Sequence, residues 1–295
     1  MTNKAKGIFA LIASAFGFAT MAAFVRLADD MGEKLPCIQK AFFRNAVALT
    51  IALFALVRCH LNRSANFPFT IKSFAKTPKL FLTLLLRSTL GTCGIFANFY
   101  ALSRIPIAEG QTLNKTAPFF TVIFAWLFLG EKTTLKQIAA ISIAFAGVLL
   151  VAKPGFAGEQ SFAMAVGLSG GLFAGAAYAL VRSLRRQGAE PAIIVTFFSA
   201  FSCLACLPFI VGNFTPMTLS QVAVLIGAGA GAAVGQFGIT LAYGYAAPRE
   251  IAVWDYTNII FTGILGLALF GQTLDTFSIA GFVLIVIAAK TISRA

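Results

Sequence analysis

Lys115 and Asp255 are the first residues to examine for chemistry, because each lies in a long apolar stretch where an ionisable side chain is costly. Lys115 falls about nine residues into a predicted membrane span, hence about 13 Å from its outer end. Gln111 and Asn114 share its helical face, and Pro118 removes a helix hydrogen bond at the same depth. Two interpretations remain open: a structural ion pair, or a site in which each charge takes one end of a zwitterionic ligand.

Asp255 lies in a stretch that matches the surroundings of Lys115 at a constant offset of 141 positions. At this offset Asn114 aligns with Asp255, and Lys115 aligns with Tyr256. The polar and aromatic neighbours of Asp255 are Trp254, Tyr256 and Asn258. A lysine and an aspartate are therefore predicted to approach the middle of the membrane from two different parts of the chain.

Two arginines add positive charge to the predicted interior. Arg87 lies about 12 Å from one end of the third span and shares a face with Asn98. Arg44 lies at a similar depth in the second span, one turn deeper than Lys40, which is expected to reach the interface along its stem. Two roles remain open for each arginine: tethering of neighbouring helices, or contact with an anionic group. A net basic interior favours substrates that carry a carboxylate.

The composition of the chain explains why these charges are unusual. Of its 295 residues 59% are hydrophobic and 11% are charged, with a mean hydropathy of +0.87. Soluble proteins carry about a quarter charged residues. The net charge of +13 forms no dense basic block, so nucleic acid is not predicted as a partner. The chain is predicted to lie in a lipid bilayer.

Ten stretches are long and apolar enough to cross about 30 Å of hydrocarbon as helices. They cover residues 6–27, 36–57, 79–102, 106–129, 134–152, 163–184, 191–211, 219–245, 249–270 and 275–293. The first resembles a signal peptide, but no small-residue cleavage site follows, so it is predicted to remain as a helix. The predicted fold class is all-α and integral to the membrane.

The spans form two sets of five that repeat one pattern. Residues 128–140 align with 269–281 at the offset of 141, which pairs Gly130 with Gly271. Residues 101–110 align with 242–251 at the same offset. Two five-helix repeats are predicted, at 1–155 and 156–295. Many secondary transporters hold their substrate where two such repeats meet.

The orientation follows from the lysines and arginines that flank the spans, most of which fall on the side of the N-terminus. Such residues concentrate in cytoplasmic loops, so both termini are predicted to be cytoplasmic. An odd number of spans per repeat makes the second repeat run upside down relative to the first. Glycines at four-residue spacing, such as Gly167, Gly171 and Gly175, are assigned to close helix packing.

Residues for enzyme or metal chemistry are sparse. Cys203 and Cys206 lie in an apolar run without a histidine, and His60 lies in a basic loop without an acidic residue. Glu109 and Glu250, aligned by the repeat, stand at helix starts, where capping is favoured over proton coupling. No cofactor, metal or catalytic residue is predicted.

The stretches Ile105 to Lys132 and Ala246 to Gln272, with the ten-span repeat, resemble EamA-type members of the drug/metabolite transporter superfamily. The resemblance covers about residues 7–290. It implies a central cavity walled by the third, fourth, eighth and ninth spans, which carries over to positions near Asn98, Lys115, Gln236 and Asp255. Gln272 departs from the usual acidic end of the second repeat.

A secondary transporter of the cytoplasmic membrane is therefore expected, exporting amino acids or related carboxylate-bearing metabolites by alternating access. The alternatives are an importer or exchanger of another small metabolite, a membrane-embedded lipid-modifying enzyme, and a passive channel or scaffold. The predicted partners are a small-molecule substrate and the lipid bilayer, and the glycine-lined faces also suit a homodimer. The substrate site is predicted from Arg44, Arg87, Asn98, Gln111, Asn114, Lys115, Gln236, Trp254, Asp255, Tyr256 and Asn258.

Overall fold

The computed structural model describes residues 1–62, 78–102, 104, 113–152, 161–271 and 275–293, and the regular structure within them is helical. The helices of the first half are α1 (Asn3–Asp30), α2 (Cys37–Asn62), α3 (Pro78–Leu102), α4 (Ala117–Leu129) and α5 (Leu135–Ala152). Those of the second half are α6 (Ser161–Arg186), α7 (Pro191–Ile210), α8 (Leu219–Tyr245), α9 (Pro248–Ile251), α10 (Thr257–Phe270) and α11 (Thr276–Ser293). A 3₁₀ segment, Ala252–Tyr256, joins α9 to α10.

Seven helical segments among the described residues are long and apolar enough to cross a membrane. Three shorter apolar helices accompany them, at Ala117–Leu129, Leu135–Leu150 and Thr276–Thr291. Large apolar side chains such as Phe54, Phe128 and Leu204 are exposed on the outside. An apolar outer surface suits lipid, so the prediction of an α-helical membrane protein is confirmed. The number of ten spans and the repeat boundaries at 155 and 156 stay predictions.

The helix directions can be read from contacts at the two ends of the bundle. Lys6, near the start of α1, lies over the ring of Tyr245, the last residue of α8. Gly32, just after α1, lies against Gln221 near the start of α8. The two helices are therefore antiparallel. We call the end where α4, α6 and α8 finish face A, and the opposite end face B.

Glycines allow several of these helices to touch backbone to backbone. A Cβ atom added at Gly17 of α1 would lie 2.7 Å from the carbonyl oxygen of Gly231 in α8. One added at Gly147 of α5 would lie 2.7 Å from the carbonyl oxygen of Gly281 in α11. Such close approach permits van der Waals packing where lipid gives no hydrophobic driving force.

The helices α4 and α10 end in the same way. Gly130 after α4 has φ 66° and ψ 19°, and Gly271 after α10 has φ 62° and ψ 21°. Both are left-handed, a conformation that glycine adopts without a steric penalty. The two residues that the sequence offset pairs therefore share one backbone conformation.

Candidate functional site

Lys115 lies at a break in the helical segment that leads into α4. Leu113 and Asn114 are helical, Lys115 and Thr116 form a turn, and α4 begins at Ala117 with a proline in its first turn. The Thr116 hydroxyl donates a hydrogen bond of 2.6 Å to the carbonyl of Leu113. The Leu113 carbonyl also accepts the backbone N–H of Thr116 at 3.2 Å, so it has two donors at the turn that holds Lys115 outside regular helix.

Glycines of α6 make room for this break. A Cβ atom at Gly171 would lie 2.1 Å from the Thr116 hydroxyl oxygen and 2.6 Å from the Leu113 carbonyl oxygen. One at Gly175 would lie 2.9 Å from the carbonyl oxygen of Ala117. The glycine stripe was assigned to helix packing from the sequence, and here it packs against the turn that carries Lys115.

Asp255 lies at a second break, within the 3₁₀ segment that joins α9 to α10. The Thr257 hydroxyl donates a hydrogen bond of 2.7 Å to the carbonyl of Trp254. Asp255 is 8% exposed. Discontinuous helices carry the binding sites of many secondary transporters, because irregular backbone inside a membrane needs partners or a cavity.

The two charges at these breaks are near each other without touching. Lys115 is half-buried, and its ammonium and the Asp255 carboxylate are close enough to interact electrostatically. Within the described residues no nitrogen to oxygen contact of 4.0 Å or less joins them. The pair is therefore open, with space between opposite charges rather than a closed salt bridge.

Arg87 of α3 is held from two sides. Its Nη2 atom donates a hydrogen bond of 3.0 Å to Oε1 of Gln236 in α8. Its guanidinium lies 3.8 Å from the centre of the Phe198 ring of α7. A Cβ atom at Gly91, one turn further along α3, would lie 3.1 Å from Arg87 Nη1 and 2.8 Å from the Phe198 ring. The glycine therefore leaves room for the guanidinium to lie against the ring.

Neither arginine of the interior has an acidic partner within the described residues. Arg87 is 1% exposed, and its Nε and Nη1 atoms are enclosed without an acceptor. Arg44 of α2 is half-buried, and its Nη1 atom lies 3.1 Å from the Met21 sulfur, a weak acceptor. Its Nε atom is enclosed without an acceptor as well. Two cations thus lie in the bundle with much of their hydrogen-bonding capacity unused.

Tyr178 of α6 lies near three of these charges, and the sequence analysis missed it. It is half-buried and close enough to Arg44, Arg87 and Asp255 to interact with each electrostatically. Its ring centre is 6.1 Å from that of Tyr243 in α8. A single tyrosine in a helix rich in glycine and alanine gave no sequence signal beyond packing.

The remaining predicted site residues lie in several different surroundings. Asn258 donates a hydrogen bond of 2.8 Å to the carbonyl of Ala15, so it ties α10 to α1. Asn98 Oδ1 and Trp254 Nε1 are enclosed without a partner. Tyr256 is fully buried in an apolar cluster with residues of α5 and α11. Asn114 is half-buried beside Lys115, and Gln111 lies outside the described residues.

Face A carries an ion cluster that joins both halves of the chain. Glu131 Oε1, just after α4, accepts from Arg182 Nε of α6 at 2.9 Å and lies 3.7 Å from Arg186 Nη1. Arg182 Nη1 also donates to the carbonyl of Tyr243 at 3.0 Å. Arg249 donates to the carbonyl of Lys132. These contacts fasten the ends of α4, α6 and α8 together.

Face B is fastened by α1, α2 and the segment before α8. Lys40 forms a salt bridge of 2.8 Å with Asp29 and is 8% exposed, so it pairs with an acid rather than extending to the interface as expected. The Gln39 amide and the Thr215 backbone exchange two hydrogen bonds, of 2.8 Å and 3.0 Å. Among the described residues no group of three or more His, Cys, Asp or Glu could hold a metal ion.

Residues 5–153 match the EamA-like transporter family. The chain belongs to this family. It is 29% identical over 291 residues to the pseudopaline exporter CntI of Pseudomonas aeruginosa, covering 98% of this chain and 96% of that protein. It is 25% identical over 248 residues to a riboflavin transporter of Brucella anthropi, covering 80% of each. A solved structure with 18% identity superposes with a TM-score of 0.73 over 96% of both chains, which shows a common fold.

Membership of the EamA-like family confirms the resemblance found in the sequence. The protein is a multi-pass membrane transporter of the drug/metabolite transporter kind rather than an enzyme, and it acts on a small-molecule substrate. The relatives named above carry different substrates, so the family does not choose the cargo. That choice depends on the residues of the interior.

Proposed function

We propose that this EamA-like transporter exports amino acids or related carboxylate-bearing metabolites across the cytoplasmic membrane by alternating access. The observation that carries the proposal is the open pair of Lys115 and Asp255. Their charges are opposite and close, yet no contact of 4.0 Å or less joins them. A buried charge needs a counter-charge or hydrogen bonds, and a zwitterionic ligand between the two supplies both.

The ends of the ligand are assigned by charge. The Asp255 carboxylate receives the ammonium group, and the Lys115 ammonium receives the carboxylate. Asn114 and, in our prediction, Gln111 add amide groups beside Lys115. Both charged residues lie at helix breaks, which is where many secondary transporters hold their substrate.

Alternating access in this proposal uses two inverted five-helix repeats. The matching glycine ends of α4 and α10 and the matching threonine hydrogen bonds at the two breaks support the repeat. Antiparallel packing of α1 against α8 supports the inversion, because these are the first helix of one repeat and the third of the other. Face A is assigned to the cytoplasm, since Lys132, Arg186 and Arg249 lie there.

Equivalent helices of the two repeats make different contacts, and this difference indicates which face of the bundle is closed to the substrate. In the second repeat α6 contacts α8 near face A, where Arg182 donates to the Tyr243 carbonyl. The equivalent pair in the first repeat, α1 and α3, makes at most marginal contact. In our proposal this conformation is closed towards the cytoplasm, and release of the Glu131 to Arg182 contact accompanies opening of that face.

Transport in proteoliposomes tests the proposal directly. Full-length protein is assayed with a panel of labelled amino acids, beside the Lys115→Ala and Asp255→Ala variants. Saturable flux of at least one solute is expected, with a large loss in both variants. Asp29→Asn serves as a matched control, because Asp29 is an acid of the salt bridge at face B. Normal flux in both site variants would refute the site, and absence of saturable flux for every solute would refute the function.

A further inference from the structure

The interior of the bundle holds an excess of positive charge that the protein itself does not balance. Arg44, Arg87 and Lys115 are cations, and Asp255 is the acid that interacts with them or with Tyr178 among the described residues. Burial of an uncompensated charge is strongly unfavourable, because the ion loses its hydration without gaining a counter-charge. A ligand with no net charge would leave this excess in place, whereas an anionic ligand reduces it.

The charges are divided between two ends of one site. Lys115 and Asp255 form one end, at the helix breaks. Arg44 and Arg87 form the other, from α2 and α3. Tyr178 is within electrostatic range of both ends, because it interacts with Asp255 and with both arginines. A zwitterionic amino acid group satisfies the first end and leaves the arginine end without an anion.

The arginine end is a built site rather than a chance placement. Gln236 fixes one nitrogen of Arg87, the Phe198 ring supports the guanidinium plane, and Gly91 leaves the room that this stacking needs. Arg44 is less enclosed: it is half-buried and has one weak contact, to a methionine sulfur. Guanidinium groups bind carboxylates with two parallel hydrogen bonds, which suits Arg44 to direct contact.

We infer that the substrate is an amino dicarboxylate, a compound with one amine and at least two carboxylates. Its amino acid group binds at Lys115 and Asp255, and its second carboxylate binds Arg44. Arg87, at the same end of the site as Arg44, adds positive electrostatic potential. This inference rests on the proposed function and narrows it from carboxylate-bearing metabolites to net anionic ones. It also explains why the site needs three cations for one acid.

Pairs of ligands that differ only in the second carboxylate provide the test. In proteoliposomes of the full-length protein, uptake of labelled L-glutamate is compared with that of L-glutamine, and L-aspartate with L-asparagine. The amides have nearly the same shape and lack the charge. We expect the acids to exceed the amides by about tenfold or more in kcat/KM, because a site built for a polar group rejects the analogue without it.

Variants locate the effect. Arg44→Gln and Arg87→Gln are expected to bring the acid to amide ratio close to unity, while Arg58→Gln, an exposed cation on the same helix as Arg44, leaves it unchanged. A ratio within one variant is independent of the amount of folded protein, and Arg44→Gln alters a residue that is only half-buried. The inference is overturned if the unaltered protein transports the amides as well as the acids, or if neither arginine variant changes the ratio. If the amides alone are transported, the inference is refuted and the proposed function stands. If none of the four compounds is transported, the inference is refuted as well. If no solute of the wider panel is transported, both the inference and the proposed function are refuted.

Discussion

Thr116 and Thr257, 141 positions apart, make the same hydrogen bond at the two helix breaks of the site. The Thr116 hydroxyl donates to the carbonyl three residues earlier at 2.6 Å, and the Thr257 hydroxyl does so at 2.7 Å. Each of these carbonyls also accepts the backbone N–H of the same threonine, at 3.2 Å for Leu113, so the hydroxyl adds a second donor to a carbonyl whose backbone hydrogen bond spans three residues rather than four. The same device thus stabilises the turn beside Lys115 and the 3₁₀ segment that holds Asp255.

Replacement of either threonine by valine removes this donor and keeps the side-chain shape. Thr116→Val and Thr257→Val are each expected to lower the free energy of unfolding by about 0.5–1.5 kcal/mol, the net contribution of one hydrogen bond, because each carbonyl keeps its backbone partner. Transport is expected to fall as well, because the breaks position the two charges. Thermal unfolding in detergent and flux in vesicles measure the two effects.

Thr50→Val is the control for these variants. Thr50 is exposed on α2, and its hydroxyl donates to the carbonyl of Ala46, four residues earlier within a continuous helix. Because Thr50 is exposed and lies within a continuous helix, a change within about 0.5 kcal/mol is expected. Equal destabilisation by all three substitutions would argue against a special role for the hydroxyls at the breaks.

Gly171→Ala tests whether the close packing of α6 against the first break is required. The added Cβ atom would lie 2.1 Å from the Thr116 hydroxyl oxygen and 2.6 Å from a backbone carbonyl oxygen. Since the backbone must shift to relieve this overlap, we expect a destabilisation of about 1–3 kcal/mol and impaired transport. Leu168→Ala, which alters an exposed residue of the same helix, should leave transport intact.

How much of this structure the sequence predicts depends on how far apart in the chain the interacting residues lie. Local signals were enough for most helix positions, because apolar length and prolines act within a few residues. The offset of 141 also paired Gly130 with Gly271, which share one left-handed conformation. Lys115 and Asp255 were predicted to be near each other by repeat alignment, and the structure brings them within electrostatic range.

Contacts between distant helices could not be predicted in the same way. Nothing in the spacing of Glu131 and Arg182 indicates that they meet, because the contact depends on how α4 packs beside α6. Tyr178 was missed for the same reason, since its importance comes from charges on other helices. Lys40 was expected to extend along the helix surface, and it pairs instead with Asp29 across the loop between α1 and α2.

Tyr178→Phe tests the centre of the site with a minimal change. The ring remains to pack beside Tyr243, while the hydroxyl among Arg44, Arg87 and Asp255 is lost. We expect a rise of about tenfold in the KM for the transported solute, with little change in thermal stability, because one hydrogen bond to a charged ligand group contributes about 1.5 kcal/mol. Tyr245→Phe removes the hydroxyl of an exposed tyrosine and should leave KM unchanged. Equal KM values for both variants would show that Tyr178 does not contact the substrate.

The ion cluster of face A leads to a prediction about exchanging the charges of Glu131 and Arg182. Arg182→Glu places two acids together near face A, and Glu131→Arg places two arginines together there. Each is expected to lower the free energy of unfolding by several kcal/mol, roughly what an unpaired buried charge costs. The double variant restores an ion pair of reversed polarity and should recover part of the loss. Recovery is incomplete because Arg182 also donates to the Tyr243 carbonyl, which a glutamate cannot do. Arg186→Glu should have a smaller effect, since its side chain is 52% exposed and 3.7 Å from Glu131. Thermal unfolding of the four variants measures this coupling, and strictly additive losses in the double variant would show that Glu131 and Arg182 do not act as a pair.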